Sequence, residues 1–88
     1  MSEARTVTLY TRHDCHLCEV AHAAIERVQA QRPFRLEILD LDREATAEKR
    51  AAYDIEVPVI ELDGRKVMKY QVDEARLLRL LSAASPDP

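Results

Sequence analysis

The chain is poor in cysteine and glycine and has no surplus of positive charge. Its 88 residues include two cysteines, one glycine, and 13 lysines and arginines against 16 aspartates and glutamates, for a formal net charge of −3. With its cations scattered among acids, it offers no basic field to gather nucleic acid. No apolar run approaches the roughly 20 residues that cross a bilayer. Met1-Ser2-Glu3-Ala4-Arg5 also lacks the apolar stretch of a signal peptide. The length leaves no room for a second domain, and there is no internal repeat or low-complexity segment. A hydrophobic fraction of 47% with 33% charged residues is that of an ordinary soluble globular chain. The expectation is one monomeric, cytoplasmic domain over 1–88, with flexible ends at 1–5 and 85–88 and no nucleic-acid or membrane partner.

Both cysteines lie in Arg12-His13-Asp14-Cys15-His16-Leu17-Cys18. The segment follows the β-prone run Val7-Thr8-Leu9-Tyr10-Thr11 and precedes an amphipathic run to about Ala30. In a reducing compartment a Cys-x-x-Cys pair is more often catalytic or metal-binding than a structural staple. A strand that delivers such a pair to the first turn of a helix is a redox arrangement. A thiol attacks only as thiolate, and the unpaired N–H groups and partial positive charge of a helix start stabilise that anion.

Helical phase separates the two sulfurs. Leu17, Val20, Ala21, Ala24, Ile25 and Val28 form one face at about 100° per residue, with Cys15, Glu19, His22 and Glu26 roughly opposite. Cys18 falls at the edge of the apolar face. Cys15 is therefore read as the exposed nucleophile and Cys18 as the sheltered resolving thiol. Asp14 is the expected helix N-cap, and His16, between the sulfurs, is the best placed of the histidines to modulate them. Arg12 and a protonated His13 or His16 would favour the Cys15 thiolate, whereas Asp14 and Glu19 would oppose it.

Two other readings stay open. Cys15, Cys18 and His22 share one side of the helix at i, i+3 and i+7, a partial metal set. A closed zinc site, however, takes four ligands, and there is no second Cys or His cluster, so no metal site is assigned. An iron–sulfur cluster would need a partner chain. The thiols could also be idle, or sense oxidation, on a binding module.

Taken in order, Thr6 to Thr11 reads as a strand, and a helix from Asp14 is stopped by Pro33. Phe34 to Leu39 reads as a second strand, parallel to the first through a right-handed crossover. The Ala-rich segment from Ala45 to Tyr53 favours helix. Val57 to Leu62 is a β-branched run, and Asp63-Gly64, with the only glycine, is a two-residue hairpin signal returning as a strand from Arg65 to Tyr70. The last helix starts with Asp73 as N-cap, has Val72 and Leu77 as a hydrophobic staple, and carries Ala75, Leu77, Leu78, Leu80, Leu81 and Ala84 on its apolar side. The order β-α-β-α-β-β-α, with a four-stranded mixed sheet flanked by helices, is a minimal α/β thioredoxin-like fold.

With Cys15-His16-Leu17-Cys18 after the first strand, Val57-Pro58 opening the third, and Asp73 starting the last helix, the chain resembles glutaredoxin-like proteins of the thioredoxin superfamily. The likeness is to a bacterial glutaredoxin-like family and spans about Thr6 to Leu81. It implies a thiol-disulfide oxidoreductase active in electron transport on protein or glutathione mixed disulfides, with Cys15 attacking and Cys18 resolving. It further implies a cis Val57-Pro58 bond, with the Val57 backbone free to pair with an extended substrate. Arg12 would meet the glycyl carboxylate of glutathione, and Asp73 would lie near the γ-glutamyl end. No bound cofactor is implied. Glutathione would be a co-substrate, and a cellular thiol reductant would restore the dithiol. Two positions depart from the family pattern: Tyr70-Gln71 replaces a glycine pair, and His16-Leu17 replaces Pro-Tyr between the cysteines.

Overall fold

The computed structural model describes residues 5–83. The remaining positions of the expected flexible ends, and Ala84 of the last helix, lie outside the described residues. Arg5, expected in the N-terminal end, is held: its Nε donates to Asp63 Oδ2 at 2.6 Å, and its carbonyl accepts the Arg35 N–H at 2.8 Å.

Strand β1 (Thr6–Thr11) lies inside a four-stranded sheet of order β2-β1-β3-β4. It pairs in parallel with β2 (Arg35–Asp40) and antiparallel with β3 (Val59–Leu62), which pairs antiparallel with β4 (Arg65–Lys69). Between β1 and β2 runs α1 (His16–Gln31), and α4 (Glu74–Ser82) closes the described chain. Strand pleating sends alternate residues to opposite faces. Val7 and Leu9 of β1 and Ile60 and Leu62 of β3 pack with Ala21, Ile25, Val28, Leu77 and Leu81 of α1 and α4. Completely buried side chains such as Ile25, Val28 and Leu77 contribute about 1.5–3 kcal/mol each.

On the opposite face, Tyr10 and Val59 pack with Leu41 and Tyr53. The Tyr10 and Tyr53 rings meet edge to face with centroids 5.4 Å apart. Here β3 also buries a carboxylate, Glu61, whose Oε2 accepts from Lys49 Nζ at 2.5 Å and from the Tyr53 hydroxyl at 2.8 Å. The hydrogen bond to Glu61 holds the Lys49 ammonium above its ordinary pKa. Burial, and then Glu61, push the Tyr53 phenol up to about 12.

Several boundaries depart from the sequence reading. The Ala-rich segment is helical as α3 (Ala47–Tyr53), and a short helix not expected from the sequence, α2 (Leu41–Glu44), stands just ahead of it with a cap of its own. Asp40 accepts from the N–H groups of Asp42 and Arg43, and Thr46 accepts from Lys49, with Ala45 extended between them. Side chains of this kind draw backbone donors out of a continuous helix. Strand β3 starts at Val59 rather than Val57, since Pro58 has no N–H to give a ladder. Leu17 and Val20, assigned to the apolar face of α1, are 53% and 48% exposed. Leu17 sits in the first turn, ahead of most of the core residues, and Val20 lies roughly 100° from the centre of the buried stripe.

Other readings hold. Asp63 and Gly64 make the two-residue turn between β3 and β4 with φ of 51° and 87°. Asp73 caps α4 through the Arg76 N–H at 3.0 Å, and Val72 packs on the cluster that contains Leu77. Among the described residues no helix is long and apolar enough to cross a membrane.

Candidate functional site

The register brings several chain segments to one end of the sheet. Tyr10 pairs with Val59 and Val59 with Lys69, while Thr11 pairs with Asp40. The loop leaving β1 toward Cys15, the Pro58 that precedes β3, the Tyr70 that follows β4 and the start of α2 therefore share this end. Asp73 follows close behind in sequence at the start of α4.

Cys15 and Cys18 are paired within disulfide distance, with Cα atoms 5.2 Å apart. Cys15, rather than Asp14, is the N-cap of α1, and its Sγ accepts the Cys18 N–H at 3.1 Å. Asp14 cannot take that place because its backbone is left-handed, with φ of 55°, in the turn just before the helix. The two sulfurs differ as the helical phase implies: Cys15 is half-buried and Cys18 is only 3% exposed. A half-exposed sulfur receiving a helix N–H can bear negative charge and meet a substrate. The buried one can reach only its neighbour.

The Val57-Pro58 bond is cis, and Pro58 is completely buried. Its carbonyl accepts the Tyr70 N–H at 2.8 Å, tying the start of β3 to the end of β4. No hydrogen bond of the half-buried Val57 backbone is found among the described residues.

Arg12 is engaged within the protein. Its Nε and Nη2 grip Asp42 at 2.9 and 3.0 Å, Nη2 also reaches Asp54 Oδ1 at 2.8 Å, and Nη1 donates to the Asp54 carbonyl at 2.8 Å. Hydrogen bonding to Asp42 and then Asp54 raises its pKa, and hydrogen bonding to Arg12 lowers that of Asp42. His16 is exposed, with Nδ1 3.9 Å from Glu19 Oε1. His22 lies 3.3 Å from Glu26. Among the described residues no group of three or more His, Cys, Asp or Glu side chains is gathered as a metal site.

Beside the disulfide a groove of about 400 Å³ runs toward β2 and α2. Cys15, Cys18 and Ile38 line it together with the guanidinium of Arg12, the four carboxylates Asp14, Glu19, Asp40 and Glu44 and the imidazoles His13 and His22. Sequence reading passed over Ile38, Asp40 and Glu44. The available signal was topological, since a parallel β-α-β unit sets the end of its second strand beside the end of its first.

Comparison with known proteins places these features in context. Residues 6–82 match the family described as Glutaredoxin-like domain (DUF836). A Dictyostelium discoideum protein described as glutaredoxin-like protein YDR286C homolog is 28% identical over 75 residues, covering 81% of this chain and 69% of that protein. The solution structure of protein Ne2328 from Nitrosomonas europaea superposes with a TM-score of 0.79 at 27% identity, covering 93% of this chain and 96% of the other. The X-ray structure of XcR50 from X. campestris gives 0.68 at 34% identity, covering 90% and 99%. A mutant thioredoxin from Halobacterium salinarum, at 22% identity over 96% of this chain and 80% of its own, shares the fold with a TM-score of 0.64.

Proposed function

Since the chain belongs to the glutaredoxin-like domain family, we propose that it is a small thiol-disulfide oxidoreductase with Cys15 as nucleophile and Cys18 as resolving thiol. The observation that carries this reading is the asymmetry of the pair: Cys15 caps α1 half-exposed with an N–H on its sulfur, over a buried Cys18 within bonding reach. Cys15 thiolate attacks one sulfur of a substrate disulfide and expels the other as thiolate. Cys18 thiolate then attacks Cys15, closing the internal disulfide and releasing the second substrate thiol. Two electrons pass to the substrate, and a cellular thiol, glutathione or a protein dithiol, returns them.

Val57, whose backbone has no hydrogen bond among the described residues, is positioned to pair with an extended segment beside the disulfide. Protein disulfides suit the surroundings better than glutathione does. Arg12, the proposed partner of the glycyl carboxylate, already faces two aspartates, and four carboxylates outnumber it in the lining of the groove beside the sulfurs. Asp73 is occupied as a helix cap, so a contact with glutathione would be a second role.

A redox titration of the purified protein against glutathione buffers, read by thiol trapping, tests the assignment. A reversible two-electron transition supports it, and absence of a Cys15–Cys18 disulfide in every buffer would sink it. The acidic wall gives a second expected outcome. Pre-reduced protein should react with the cationic disulfide cystamine roughly tenfold faster than with the anionic glutathione disulfide at low ionic strength, the gap closing as salt is added. Equal rates at low salt would show that the groove carboxylates do not select.

A further inference from the structure

Among the described residues three other than glycine hold positive φ: Asp14 at 55°, Asp63 at 51° and Tyr70 at 71°. Aspartate visits the left-handed region more readily than most residues, and Asp63 is also held by a long-range bond, its Oδ1 accepting the Thr6 N–H at 2.9 Å. A tyrosine there is a true outlier. The fold imposes the conformation through two backbone bonds of 2.8 Å, from Tyr70 N–H to the Pro58 carbonyl and from Gln71 N–H to the Lys69 carbonyl. Glycine would fit this turn without strain.

The ring gains little that would explain its presence. Tyr70 is 43% exposed and belongs to neither buried cluster, no hydrogen bond of its hydroxyl is found among the described residues, and the Lys69 ammonium lies 5.3 Å from its ring centroid. Strain held at a position where the side chain adds no core packing points to a use outside the fold. Tyr70 also stands at the redox end of the sheet, bonded to the residue that follows Val57.

Building on the oxidoreductase reading, we infer that Tyr70 is a substrate-positioning residue, whose exposed ring receives an apolar or aromatic side chain next to the cysteine of a peptide disulfide. The Val57 backbone would hold the main chain of that segment, and Tyr70, one strand over on the side away from β1, would hold its side chain. Small disulfides that carry no such side chain would react without its help.

The test uses the pre-reduced full chain in single-turnover reactions with two probes, bis(2-hydroxyethyl) disulfide and a disulfide-linked peptide with phenylalanine beside its cysteine. Tyr70→Gly should raise the thermal midpoint by roughly 4–8 °C as the strain is relieved. It should leave the rate with the small disulfide unchanged and raise the half-saturating concentration of the peptide about tenfold with its limiting rate retained. Tyr70→Phe should behave as the parent protein toward both probes. An unchanged half-saturating concentration in Tyr70→Gly, or an equal loss with both probes, would overturn the positioning role. If the parent protein reduces neither probe, the oxidoreductase reading fails and this inference falls with it.

Discussion

Replacing Cys15 by serine is expected to reduce disulfide turnover to the uncatalysed background, while replacing Cys18 by serine should leave a protein that attacks once and stalls as a mixed disulfide. The difference follows from the placement of the sulfurs. Only Cys15 is open to a substrate and receives the helix N–H. A serine hydroxyl in its place would not ionise near neutral pH and would not act as the nucleophile. Cys18, 3% exposed beneath it, has no route to a substrate and acts on the intermediate alone. Mass spectrometry of each variant after exposure to a disulfide substrate separates the cases: an adduct at Cys15 in Cys18→Ser, and none in Cys15→Ser. An adduct at Cys18 in the Cys15→Ser variant, with turnover retained, would reverse the roles.

The largest effect on stability is expected at Lys49. Replacing it by methionine retains much of the side chain's apolar stem but strips the Glu61 carboxylate, 3% exposed, of its only cationic partner among the described residues. Breaking a fully buried pair costs about 3–5 kcal/mol. Lys49 is 34% exposed, so water can partly replace it, and about 2–3 kcal/mol is expected. For a domain of this size that lowers the melting midpoint by roughly 10–20 °C.

The sign of the pH dependence is distinctive. In the parent protein the folded-state pKa of Lys49 is raised, so its contribution is complete below the ordinary value of 10.5 and disappears as pH rises through the folded value. In the variant that contribution is missing at every pH, so the deficit should be complete below pH 10.5 and shrink as alkaline pH removes the Lys49 charge from the parent protein. Thermal melts of both proteins from pH 7 to beyond pH 10.5 measure this. A loss of less than about 2 °C at pH 7 would mean that the Tyr53 hydroxyl alone satisfies Glu61.

Much of the architecture is written in local signals. The Asp63-Gly64 turn, the Asp73 cap and the staple between Val72 and Leu77 are short-range devices, and each lies where its residues imply. Helical phase likewise separated Cys15 from Cys18. What failed depends on neighbours distant in sequence or on competition between caps. Asp14 looks like a cap by composition, yet the turn puts its backbone in the left-handed region and hands the position to a cysteine. Asp40 starts a short helix of its own ahead of the Ala-rich one, which helix propensity in the Ala-rich segment does not announce. The two aspartates on Arg12 stand 30 and 42 residues further along the chain, and no local pattern joins them. Tyr70 stands out in the sequence as a replacement for a family glycine, but that its backbone keeps the left-handed conformation is shown only by the structure.

Arg12 leaves β1 on the way to Cys15, Asp42 belongs to α2, and Asp54 follows α3 four residues before Pro58. One guanidinium thus ties three separately folded segments with four hydrogen bonds. Opening the loop that carries Arg12 breaks its bonds to both of the others, and opening either of those breaks its bonds to Arg12, so the guanidinium couples the opening of all three. The loop that presents the reactive sulfur is thereby kept from fraying independently of the wall beside it.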